Sequence, residues 1–112
     1  MAMVTIGLER LLTDAASLVA DRDVGLLCNP VSVDRDFRHA ADLLHQHAGC
    51  RLTRLYGPEH GIRGAAQDMI AVDQERDPDT GLPVVSLYGS DAESLKPRPE
   101  DLDGIDVLVC DL

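Results

Sequence analysis

Leu8, Leu11, Leu12, Ala15, Leu18 and Val19 recur at three- and four-residue spacing and predict an amphipathic helix over about residues 6–20. The run Val24-Gly-Leu-Leu-Cys28 is short and apolar, and Asn29-Pro30 follows it, so it reads as a buried strand stopped by proline. Phe37, Ala40, Ala41, Leu44 and Ala48 form a second helical stripe, with Asp34 or Asp36 able to cap its start and Gly49 able to end it. Arg51 to Tyr56 is a second strand ending at Gly57-Pro58. Residues 57–82 carry Gly, Pro, Asp and Gln with little periodicity and read as a long functional loop, with a turn at Asp79-Thr80-Gly81. Pro83 to Tyr88 is a third strand, one helical turn is expected from Pro99 to Leu102, and Ile105 to Cys110 is a fourth strand.

Strands separated by helices or long crossovers imply a parallel sheet with right-handed connections. The expected fold is therefore α/β: a Rossmann-like parallel sheet of about four strands with flanking helices. Asp111-Leu112 follows directly on a core strand. The whole chain, residues 1–112, is accordingly expected to be the truncated amino-terminal domain of a longer protein.

Composition narrows this picture. Apolar residues make up 45% of the chain but only Phe37, Tyr56 and Tyr88 are aromatic, so the core is built from Leu, Val, Ile and Ala. That suits strands buried under helices. A formal net charge of −10 argues against nucleic acid or an anionic membrane surface as partner. No run approaches the roughly 20 apolar residues of a membrane span, and Met1 to Leu12 carries Glu9 and Arg10 without a signal-peptide pattern. The chain thus reads as soluble. Cys28, Cys50 and Cys110 lack CxxC spacing and read as buried or semi-buried free thiols rather than a disulfide framework or zinc site.

Open parallel sheets gather their sites at the carboxyl ends of the strands. Those ends here carry Asn29, then Pro58-Glu59-His60, then Tyr88 and Asp111. Either these groups converge on a ligand or they simply end strands. The richest segment is Tyr56-Gly-Pro-Glu-His-Gly-Ile-Arg-Gly64. Its glycines let backbone approach a ligand closely, and Glu59, His60 and Arg63 bring an acid, an imidazole and a guanidinium. A glycosidase needs a carboxylic acid that stays protonated until it meets the leaving oxygen. Burial would raise the pKa of Glu59 and a nearby Arg63 would lower it. The alternative is that Glu59 and His60 merely bond loop backbone.

Other constellations are weaker. His39, His45 and His47 have no i, i+4 pair and read as solvent-facing. Asp73, Asp77 and Asp79 lack the spacing of a calcium loop. There is no GxGxxG, P-loop or GxSxG motif, so no cofactor is expected. Cys28 reads as a core thiol rather than a nucleophile.

Four blocks, taken in order, resemble one family. They are Gly25-Leu-Leu-Cys-Asn-Pro30, Tyr56-Gly-Pro-Glu-His-Gly-Ile-Arg-Gly64, Thr80-Gly-Leu-Pro-Val-Val-Ser-Leu-Tyr-Gly89 and Leu102-Asp-Gly-Ile-Asp-Val-Leu-Val-Cys-Asp111. The family is that of the NamZ exo-β-N-acetylmuramidases, glycosidases of bacterial wall recycling. The resemblance implies a Rossmann-like amino-terminal domain that binds no dinucleotide, with its active site in a cleft shared with a carboxyl-terminal domain. It implies Glu59 as the catalytic residue, with His60, Asn29 and Tyr88 in motif positions lining the cleft. The implied substrate is a terminal β-1,4-linked N-acetylmuramic acid on a peptidoglycan fragment. His60 and Arg63 are then expected to tune or orient the acid, Arg63 also to meet the lactyl carboxylate, and the second carboxylate to be either Asp111 or a group of the missing domain. The Gln-Asp-Val-Gly block and second domain that usually follow are absent, so the fragment alone is expected to be inactive. Cys28 and Cys110 stand where the family commonly has other residues. The rival expectation is a non-catalytic Rossmann-like module that binds a sugar or nucleotide at the same edge.

Overall fold

The computed structural model describes residues 3–58, 62–63, 76–88 and 92–112. Its elements are α1 (Gly7–Leu11), β1 (Asp23–Cys28), α2 (Ala40–Gln46), β2 (Arg51–Gly57), β3 (Val84–Ser86) and β4 (Val107–Asp111). Short 3₁₀ turns occupy Ala16–Leu18, Ala92–Leu95 and Pro99–Leu102. The four strands form one sheet in the order β3-β2-β1-β4, and every pairing is parallel. The fold is α/β and Rossmann-like, as the alternation of elements implied.

Register explains which residues form the core. Val24 pairs with Leu52 and Val107, and Leu26 with Leu55 and Val109, so these residues share one face. Leu8 of α1 and Ala40, Ala41 and Leu44 of α2 pack on that face. A bulge beside Val24 adds Thr53 to β2 and lets Leu52 and Leu55, three apart, both face the core. Tyr56 then points to the opposite face, where its ring lies 2.7 Å from the position a Cβ on Gly25 would take. Its hydroxyl bonds the carbonyl of Asp101, and Ile105 and Leu108 also approach Gly25. Asp101 and Ile105 therefore pack on the second face, on which Leu108 and Cys110 stay exposed.

This arrangement follows from one handedness. The connection from β1 through α2 to β2 puts α2 on the first face. The connection from β3 to β4 runs back across β2 and β1, so the same right-handed sense puts it on the second. The direction of winding reverses between β1 and β4, the position at whose carboxyl ends open α/β sheets commonly bind ligands.

Both helices are shorter than their apolar spacing predicts. α1 stops at Leu11, where the Thr13 hydroxyl bonds the Glu9 carbonyl at 2.8 Å and draws the chain out of helical register. The 3₁₀ turn that follows rotates Leu18 outward, leaving it 62% exposed. Neither Asp34 nor Asp36 caps α2. The Asp34 carboxylate instead accepts the N–H groups of Asp36 and Arg38, both at 2.9 Å, and closes its own loop. Phe37 at the tip of that loop has φ of 62° and is 86% exposed, outside the helical stripe it was expected to join.

Candidate active site at the carboxyl rim of the sheet

β1 delivers Asn29 to the carboxyl rim of the sheet. Its side-chain Oδ1 accepts the N–H of Val31 at 3.1 Å, which turns the chain sharply after the strand. Ser32 is buried beneath that turn. Its Oγ accepts the Asn29 N–H at 3.0 Å and lies within hydrogen-bond reach of Asn29 Oδ1 and the Asp111 carbonyl. One hydroxyl thus joins the ends of β1 and β4 at the point where the winding reverses. Asp111 pairs with Cys28 across these strands, and burial raises its carboxyl pKa above the usual range.

His39 departs furthest from its expected environment among the polar residues. It is buried, 8% exposed, rather than solvent-facing. Its Nδ1 accepts the N–H of Ala41 at 3.1 Å and so caps α2. That bond assigns the proton to Nε2, which lies 3.0 Å from the Asn29 carbonyl and 2.8 Å from the Ile62 carbonyl. A single ring connects the loop after β1 to the segment that follows the Pro-Glu-His-Gly motif. The sequence offered no signal for this, because the bonds run to carbonyls 10 and 23 residues away.

Arg63 turns toward α2 and the 77–80 turn. Its Nε donates to Asp77 Oδ1 at 2.7 Å. Nη2 donates to Asp77 Oδ2 at 2.9 Å and to Asp42 Oδ1 at 2.7 Å, and Nη1 donates to Asp42 Oδ2 at 2.9 Å. Asp79 Oδ2 lies 3.3 Å from Nη1. Burial alone would raise the pKa of Asp77, but bonds from Arg63 and Thr80 outweigh it and hold the group at about 2. The Arg63 bonds also lower Asp42. No short motif in the sequence links Asp42 or Asp77 to Arg63.

Tyr88 lies two residues beyond β3 on the same rim, half-exposed, with its N–H bonded to Ser86 Oγ at 3.3 Å. Glu59 and His60 follow β2 at this rim in the sequence but lie outside the described residues. Cys28 is buried and its thiol is pushed up to about 12 by burial, which suits a core residue rather than a nucleophile. Cys50 is buried too, whereas Cys110 is exposed, against expectation, because it faces the side of β4 opposite the core. Among the described residues no helix is long and apolar enough to cross a membrane.

Residues 24–112 match the family model described as exo-beta-N-acetylmuramidase NamZ, N-terminal. The chain belongs to the NamZ amino-terminal family. It is 38% identical over 109 residues to the peptidoglycan beta-N-acetylmuramidase NamZ of Bacillus subtilis strain 168, covering 97% of this chain and 26% of that protein. A DUF1343 family protein from Bacteroides fragilis superposes with a TM-score of 0.81 at 42% identity, over 95% of this chain and 25% of the other. A second DUF1343 protein of that organism shares the fold at 23% identity, with a TM-score of 0.72 over 98% of this chain and 26% of the other. The chain thus spans about a quarter of the length of each of these proteins. Its link to the glycosidases rests on this kinship, and it is Rossmann-like without the glycine fingerprint of a dinucleotide site.

Proposed function

We propose that this chain is the amino-terminal part of an exo-acting β-N-acetylmuramidase, and that Glu59 is its catalytic acid. The observation that carries the reading is the family match, which spans the segment from Tyr56 to Gly64. That segment leaves the carboxyl end of β2, the strand beside β1. Glu59 transfers its proton to the glycosidic oxygen as the anomeric carbon gains oxocarbenium character, the C1–O bond breaks, and water supplies the new hydroxyl. A second carboxylate either receives the proton that water gives up or attacks the anomeric carbon to form a glycosyl ester that water, deprotonated by Glu59, then hydrolyses. Asp111, half-buried at the neighbouring strand end, is one source of that carboxylate, and the remaining domain is the other. Asn29 and Tyr88 line the sugar site, and His60 orients the acid.

Arg63 enters as the residue that holds the motif loop. Its guanidinium is already bonded to two carboxylates. A substrate's lactyl carboxylate would meet Asp42, Asp77 and Asp79 around it.

The test uses the full-length protein with a chromogenic N-acetylmuramide and the matching N-acetylglucosaminide. Selective release from the muramide is expected. Binding without release would overturn the proposal in favour of a sugar-binding module. Because the cleft is proposed to be shared with a carboxyl-terminal domain, the 112 residues alone should release little product; full activity from them would contradict that sharing.

A further inference from the structure

We propose that His39 is a positioning residue of this hydrolase: through Nε2 it fixes the motif loop against the loop after β1, and so sets where the catalytic acid stands. This rests on the reading of Glu59 given above. His39 performs two separable tasks with its two ring nitrogens. Nδ1 accepts the Ala41 N–H and caps α2, a local stabilising role. Nε2 donates to the carbonyls of Asn29 and Ile62. The second of these lies three residues beyond Glu59, and the first belongs to the turn that closes on Asp111 through Ser32. Both carbonyls lie in elements that bear proposed cleft residues. A cap needs only an acceptor at the δ position. A solvated histidine would reach neither carbonyl. The burial of the ring and its two long-range bonds are what a cap alone leaves unexplained.

The two tasks can be separated by substitution in the full-length protein. His39→Asn keeps an acceptor at the δ position but cannot reach Ile62. His39→Gln places an N–H near the position of Nε2 but offers no acceptor at the δ position. Stability should follow the cap: Asn near wild type in thermal melting, Gln lower. Turnover of the chromogenic muramide should follow the tether. Gln should keep kcat, while Asn should lose about tenfold or more with KM little changed, as expected when a catalytic group is displaced. Turnover that tracks melting temperature, or full turnover in His39→Asn, would overturn the proposal. If wild-type protein releases no muramic acid, the hydrolase reading fails by itself. Amide exchange over Gly57–Arg63 then decides the tether, which predicts faster exchange in His39→Asn alone; equal exchange in all three proteins would refute it.

Discussion

The Arg63 cluster illustrates how one charged side chain can hold a functional loop. Asp77 is buried and its carboxylate is met by Arg63 on one side and Thr80 on the other. Replacing Arg63 by Met leaves that carboxylate buried and uncompensated, which should cost about 3–5 kcal/mol in urea denaturation. Acid should act through the same group. The pKa of Asp77 lies at about 2 in the fold, below its ordinary value. Its contribution of about 2 kcal/mol is therefore complete above roughly pH 5 and is lost as pH falls from about 4 through 2. Comparison of the wild type with Asp77→Asn isolates it, since the difference in stability should shrink over that window. A difference independent of pH would contradict the assignment. Neither partner was legible beforehand, because Asp42 and Asp77 lie 21 and 14 residues from Arg63 and no short motif joins them.

At the scale of elements, Gly25 marks where the second face of the sheet is tightest. A methyl group there would stand 2.7 Å from the Tyr56 ring and 3.3 Å from Leu108. Tyr56 has little room to yield, being 1% exposed with its hydroxyl bonded to Asp101. Gly25→Ala should destabilise by about 1–3 kcal/mol in the same assay, and an unchanged midpoint would show that the ring moves freely. The strands were readable because each is an apolar run cut off by Pro, Gly or Asp, and a buried parallel strand imposes little more than that. β3 and β4 begin later than their apolar runs, since Pro83 has no N–H to offer a ladder and Asp106 N–H bonds the carbonyl of Asp23 before β4 begins. The helices were less readable. Spacing shows which residues would share a face if a helix formed. It does not register the competing bonds of Thr13 and Asp34 that end α1 early and delay α2.

Across the whole molecule, the order β3-β2-β1-β4 draws Asn29 and Asp111 together at the reversal point and leaves Tyr88 at the far edge of the rim. Strand ends alone predicted that these residues share a rim. They could not predict which would meet, because that depends on the crossover back to β4. The buried residues that join the loops, Ser32 and His39, were invisible for a related reason: a serine and a histidine in a polar stretch look the same whether they face water or brace a turn. Glu59, as the acid that protonates the leaving oxygen, is the centre of the proposed chemistry. The direct measurement is turnover of the chromogenic N-acetylmuramide by full-length Glu59→Gln, with melting temperature recorded alongside. A catalytic Glu59 predicts a loss of at least about 10²-fold in kcat with an unchanged melting temperature. Turnover within about twofold of wild type would contradict it.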